Sequence, residues 1–434
     1  MLKKIKIKGL FNKFDYDIEL KKEGLTILTG PNGYGKTTIL KIIYALAVKN
    51  IFFFFQLPFN KIELIQEKEQ ITIVKKGKQS LDQSELKSKP FKDIIIEIQQ
   101  GNKKPTSYNR KDIIRLLRKE SLLIPIDKNR WISRRTDEFY TTEQVINELL
   151  ENDNKLFQKY YKSLPEFIDV YFIKEQRLIK KKTLSKRRRF SFEDEIENSF
   201  IDTIQEYAVE LSENIRNIMA EYSRIAQGLD SSFPKRLFNQ SKDITEKSFN
   251  KRYEQIKKKQ ELLSLFGLPA SKDESHTSYK KENAKALLVY LEDTKEKLAV
   301  FDEIFKKLKT FSTILNERKF VFKNFEFSSD FGFRFISEDG KEIPLTNLSS
   351  GEQQEVVLLY ELLFKVKPNT LLLIDEPEMS LHVVWQKEVI NDLLKIIELQ
   401  KINVILATHS PQIIDEHWAL SIDLFDLSKK EIFK

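Results

Sequence analysis

Cysteine is absent from the sequence. That excludes a disulfide framework, a thiolate zinc site and an iron–sulfur cluster, and it suits a reducing compartment. Also missing is any run of about eighteen uncharged apolar residues, and Ile51-Phe52-Phe53-Phe54-Phe55 is far too short for a membrane span. The start, Met1 to Lys8, alternates like a strand and has neither the apolar core nor the small-residue cleavage site of a secretory signal. No internal repeat or low-complexity tract stands out. These absences predict a cytoplasmic protein with no membrane partner.

What is present is a globular composition: 434 residues, 41% of them hydrophobic. This is room for one large domain with an insertion, or for two to three domains. The net charge of +9 is unevenly placed, because Arg177 to Arg189 holds eight basic residues and no acid. Lys186, Arg187, Arg188 and Arg189 close that cluster, which suits a phosphate-backbone or acidic-partner contact and equally a solvated loop.

Gly30-Pro31-Asn32-Gly33-Tyr34-Gly35-Lys36-Thr37 fits the phosphate-binding loop G-x-x-x-x-G-K-[ST] and directly follows the apolar run Leu25 to Thr29. In such a loop the backbone N–H groups around Gly30, Asn32, Gly33 and Gly35 crowd the phosphates, Lys36 neutralises their oxygens, and Thr37 is left to hold Mg²⁺. Thr38 to Val48 reads as a helix whose N-terminus faces the anion.

The first hundred residues are strand-rich, including Ile62 to Ile65, Ile71 to Val74 and Ile94 to Ile98, and predict a twisted antiparallel sheet beside the nucleotide site. Residues 101–165 are mixed and polar, with short helices expected. Val170 to Ile173 reads as a core strand ending in Lys174-Glu175-Gln176-Arg177. Ile204, Ala208, Leu211, Ile215, Ile218, Tyr222 and Ile225 then recur at spacings of four and three, with Gly228 expected as the C-cap. Leu287, Leu291, Leu298, Phe301, Phe305 and Leu308 repeat the seam. Two helices of that size, each about 45 Å long at 1.5 Å per residue, would pair antiparallel as an arm, with breaks at Phe233-Pro234 and Gly267-Leu268-Pro269 forming its tip. Packing of both helices on a globular head is the open alternative. Strand signals return from Phe320-Val321-Phe322 through Ile343-Pro344-Leu345.

Leu371 to Ile374 precede Asp375-Glu376, placing two carboxylates at the end of a core strand, one for Mg²⁺ and one to polarise the attacking water. Asp375 is assigned to the metal and Glu376 to the base. Ile402 to Ala407 repeats the device and ends in Thr408-His409, where His409 can orient water or bond the γ-phosphate. Ser349-Ser350-Gly351-Glu352 opens an apolar helical run; alone it is an ordinary helix cap.

In this order the set resembles the ATP-binding-cassette ATPases, and more closely their RecF-like, OLD-like and SMC-like branch. The resemblance covers roughly residues 1–50, 168–178 and 320–420. It implies an α/β fold: a P-loop ATPase head of mixed sheet and antiparallel β subdomain, with an inserted helical, coiled-coil arm. The expected domains are 1–190 (N-terminal lobe of the head), 191–316 (insertion) and 317–434 (C-terminal lobe). It implies ATP and Mg²⁺, with Gln176 as a sensor of metal and γ-phosphate beside Thr37 and Asp375, and Thr38 among the nucleotide contacts. Ser349, Ser350, Gly351 and Glu352 would form the signature that closes over ATP in trans, giving a homodimer or higher oligomer. Asp375 to His382 looks like the OLD-type Walker B and D-loop, although Val383 stands where such chains often have proline, and the signature reads Ser-Ser-Gly-Glu instead of Ser-Gly-Gly-Gln. Only about 25 residues follow His409, so the TOPRIM nuclease domain of full OLD proteins is expected to be absent. The implied role is a stand-alone ATPase of anti-phage defence, of the PARIS or Septu type, with a separate effector nuclease (TOPRIM or HNH) and a DNA or phage-protein trigger. The alternative is a DNA repair ATPase. A transporter subunit and a non-catalytic scaffold fit less well, given the heptad insertion and the presence of Lys36, Glu376 and His409.

Overall fold

The computed structural model describes residues 1–77, 94–109, 123–126, 130–133, 139–141, 144–145, 162–173, 179–181, 200–268, 278–318, 323–380 and 383–430. Gln176, the cluster Lys186 to Arg189, the Phe320-Val321-Phe322 strand and Leu381-His382 lie outside the described residues. The chain divides into two compact units, Met1–Glu175 with Val366–Met379 and Gln386–Lys434, and Gln176–Lys365 with Ser380–Trp385.

The first unit contains a five-stranded parallel sheet in the order Val170–Ile173, Leu371–Asp375, Asn403–Ala407, Leu25–Thr29, Ser421–Asp423. Leu25–Thr29 and Leu371–Asp375 are buried at every residue, which is why apolar residues predominate in both: a parallel strand has no solvent face to alternate toward. All three segments that end in candidate chemistry therefore leave the same edge of one sheet, at its strand C-termini. A six-stranded antiparallel sheet, ordered Phe14–Glu19, Leu2–Leu10, Lys61–Gln66, Gln70–Lys76, Ile95–Gln100, Thr106–Asn109, shares its core. There the strands alternate, with Ile5, Ile7, Ile62, Leu64, Ile71, Ile73, Ile96 and Ile98 inward.

Of the described residues in 101–165 only 144–145 and 162–163 are helical, so the expected short helices are corrected for the four segments that follow. Thr106–Asn109, Leu123–Pro125, Arg130–Ser133 and Phe139–Thr141 are strands, the last three forming one antiparallel sheet. Register explains it: Trp131 stands opposite both Tyr140 and Pro125. The aromatic Trp131 is buried there, a cross-strand gain that local polarity does not advertise.

In the second unit the helix Thr203–Asn239 runs straight through Gly228 and Pro234, so neither the C-cap at Gly228 nor the break at Phe233-Pro234 forms. Gly228 takes no left-handed φ, and a helix-interior glycine costs only about 1 kcal/mol. Around the proline, side chains bond carbonyls of the preceding turns: Ser231 and Ser232 hydroxyls donate to Gly228 O at 3.0 and 2.8 Å, and Arg236 Nη2 donates to Leu229 O at 2.5 Å. Arg236 also pairs with the buried Asp293 of helix Ala284–Ala299. With Tyr222 against Phe301 and Asp230 against Lys297, these contacts order the two segments antiparallel.

The seam from Ile204 to Ile215 is buried, in part because the helix crosses the hairpin strand Gly332–Ser337. Gly332 sits at φ 73°, and a Cβ there would lie 1.8 Å from Ala208 O. Gly332→Ala is expected to destabilise the chain by on the order of 2–4 kcal/mol through strain and backbone overlap. A lowered denaturant midpoint would show this; an unchanged midpoint would refute the close approach.

Candidate functional site

The phosphate loop is built by backbone geometry. Gly30, Gly33 and Gly35 all take positive φ. At Gly35 (φ 90°) a Cβ would also meet Leu10 Cδ2 at 2.9 Å, so the loop admits no side chain where it turns into helix Lys36–Ala47. That helix has no side-chain cap, which leaves its first N–H groups to an anion. Lys36 is buried, its Nζ donating to Gly30 O at 2.8 Å, so the ammonium is folded over the loop itself. The loop is pinned from outside by Tyr16, whose hydroxyl donates to Tyr34 O at 2.7 Å. The Tyr34 ring lies between those of Phe14 and Phe425.

Thr37 Oγ1 donates to Asp375 Oδ1 at 2.9 Å, although 338 residues separate them. Asp375 is buried. A hydroxyl and a carboxylate side by side are a hard oxygen pair of the kind Mg²⁺ takes. The residues assigned to the metal from the sequence, Gln176 aside, therefore meet.

Glu376 leaves the strand at φ 47°, with its N–H donating to Ala407 O at 2.9 Å. Non-glycine residues held in this region cost about 1–3 kcal/mol and persist where surroundings impose them. The turn aims the Glu376 carboxylate at His409, Nδ1 to Oε2 2.5 Å. Glu376 Oε2 has no aligned hydrogen-bond partner, so the two groups meet as a close polar contact. Burial, then the charge and hydrogen bonding of Glu378, push the Glu376 carboxyl up to about 7, against the lowering pull of His409.

Glu378, which lies within the Asp375 to His382 motif but has no role of its own in that reading, packs against the His409 strand end. Its side chain is 7% exposed, and its Oε1 accepts from the Thr408 hydroxyl and from His409 N at 3.1 Å. The signal was in the text of the chain, as the second acid of Asp375-Glu376-Pro377-Glu378.

The segment Ser349 to Glu352 belongs to the second unit. Ser349 caps helix Ser350–Tyr360 in a full capping box with Glu352: Ser349 Oγ accepts from Glu352 N, and Glu352 Oε2 accepts from Ser349 N at 2.8 Å. Lys323 Nζ bonds both Glu352 oxygens at 2.6 and 2.7 Å. Burial alone would raise the Glu352 carboxyl, but Lys323 and Ser349 outweigh it and hold it below the ordinary value. Glu352 thus serves the helix start, while the Ser350 and Gly351 positions stand in the first turn.

Among the described residues no helix is long and apolar enough to cross a membrane. A family model described as AAA ATPase domain matches residues 1–414. Over 51 residues the chain is 45% identical to the probable branched-chain amino acid transport ATP-binding protein LivF of Archaeoglobus fulgidus, a stretch making up 11% of this chain and 22% of that protein. The chain thus spans about a fifth of the length of that curated relative. Similar solved structures include the Smc head domain with an extended coiled coil of Pyrococcus furiosus, bound to the C-terminal domain of ScpA (14% identity, 97% of this chain and 92% of that one, TM-score 0.35). The SMC head domain of Thermotoga maritima is another (13%, 96% and 91%, TM-score 0.32).

Proposed function

The chain belongs to the AAA ATPase domain family, and from that premise we propose that it binds and hydrolyses ATP and uses the nucleotide to switch an assembly. One observation carries the reading: Thr37 with Asp375, and Glu376 with His409, meet at the edge where the phosphate loop ends.

In this reading the loop N–H groups and Lys36 hold the phosphates. Thr37 and Asp375 would hold Mg²⁺, which when bound neutralises charge on the phosphate oxygens. Glu376 takes the proton of a water whose oxygen forms the new bond to the γ-phosphorus as the bond to the β,γ-bridging oxygen breaks. His409 bonds the γ-phosphate or orients that water, and Gln176 senses the metal and the γ-phosphate. Ser349 and Gly351 act on the ATP of another copy, so that ATP favours a closed homodimer and hydrolysis opens it.

The assembly served is a bacterial anti-phage complex in which this chain controls a separately encoded nuclease. The support is the motif set itself: a cassette head with a helical segment between Gln176 and the signature.

Lys36→Ala is expected to weaken ATP binding about 10- to 100-fold, the worth of a charge-assisted bond; equal affinity for the two proteins by calorimetry would defeat the assignment. For the assembly, Glu376→Gln is loaded with ATP and its mass measured by light scattering. A monomer with and without ATP refutes the trans signature, and failure of any nuclease to co-purify from the native host refutes the effector role.

A further inference from the structure

We propose that Glu378 is a positioning residue for hydrolysis, which clamps the Thr408–His409 strand end and thereby sets the His409 ring against Glu376. The proposal rests on the reading of Glu376 and His409 as the hydrolytic pair.

Three groups converge on one oxygen, Glu378 Oε1: the Thr408 hydroxyl, the His409 backbone N–H at 3.1 Å and His409 Nδ1 at 3.5 Å. The clamp is itself held, because Gln386 Nε2 donates to Glu378 O at 3.2 Å and Ser410 N donates to Thr408 Oγ1 at 3.0 Å. Thr408 is fully buried, with its N–H on Leu28 O of the phosphate-loop strand at 3.1 Å. Backbone freedom at His409 is thus removed on the side facing the sheet, while the ring itself is 49% exposed.

A merely structural acceptor here need not be charged. Burying a second carboxylate beside Glu376, with its Oε2 lacking a hydrogen-bond partner, is costly, and an amide or hydroxyl would satisfy Thr408 at less cost. The carboxylate does what these cannot. With Glu376 and Glu378 both facing Nδ1, at 2.5 and 3.5 Å, the imidazole keeps its proton on Nδ1 and turns Nε2 outward, the nitrogen left to meet a phosphate or a water. Glu378 never needs to touch substrate to do this.

The experiment uses full-length Glu378→Ala, Glu378→Gln, His409→Ala and the double variant Glu378→Ala/His409→Ala. Hydrogen exchange across residues 403–411 is read without nucleotide, and kcat and KM for ATP are read with it. Glu378→Ala is expected to speed exchange at His409 and to lower kcat about 10- to 100-fold with KM within about twofold. On the His409→Ala background the same change should lower kcat less than about twofold, because a residue acting through His409 has nothing left to position. Glu378→Gln keeps a carbonyl for Thr408 and His409 N, so it should retain protection while losing part of the kcat. Unchanged exchange in Glu378→Ala, or a full kcat loss persisting without His409, overturns the proposal. A wild-type chain that turns over no ATP refutes the hydrolytic reading instead, and the exchange comparison still decides whether Glu378 clamps the strand end.

Discussion

Glu376→Gln is expected to bind ATP as the wild type does and to hydrolyse it about 10²- to 10⁴-fold more slowly, the usual worth of a positioned general base. The amide is nearly isosteric and cannot accept the proton of water. The turn that aims it is set by backbone, at φ 47° with the N–H on Ala407 O, so the variant keeps its shape. ATP affinity with single-turnover hydrolysis separates binding from chemistry, and turnover within about threefold of wild type would remove Glu376 from the mechanism.

The same residue sets the expected pH profile. Burial and the neighbouring Glu378 push its carboxyl up to about 7, and a base works only once deprotonated. The wild-type kcat should therefore rise with pH through about 7 and level off above it. A profile flat from pH 5.5 to 8.5 would contradict a base in this environment.

The second large effect is on stability. Arg318 Nε and Glu355 Oε1 lie 3.0 Å apart with both side chains 2% exposed, joining the end of helix Asp302–Glu317 to helix Ser350–Tyr360. Arg318→Leu takes the guanidinium from a buried carboxylate and should destabilise the fold by about 3–5 kcal/mol. Replacing both partners, Arg318→Leu with Glu355→Leu, should recover most of that loss, because no charge is then buried. Chemical denaturation of the three chains decides it. A single variant as stable as wild type would show the pair to be unimportant, and a double variant no better than the single would show that packing, not charge, is at stake.

Much of the head was legible along the chain, and for identifiable reasons. The phosphate loop could be read because its strand, glycines and helix are neighbours in sequence, so local conformation is the signal. Leu371–Asp375 and Asn403–Ala407 could be read because parallel strands buried along most of their length carry apolar side chains on both faces. The strands near Trp131 were not legible, because their stability comes from partners across the sheet. Gly228 and Pro234 misled for the opposite reason: both are real local breakers, overridden by Arg236, Ser231, Ser232 and the neighbouring helix.

By itself, then, the sequence determined that this chain carries a phosphate loop, two strand-end carboxylates and a strand-end histidine, since each is encoded by a short segment and its own periodicity. Only the tertiary structure decided that Thr37 meets Asp375, that Glu378 reaches across to His409, and that Arg318 is buried against Glu355. Those contacts join residues 338, 31 and 37 positions apart. They depend on strand order, register and helix crossing, which no local pattern of residues specifies.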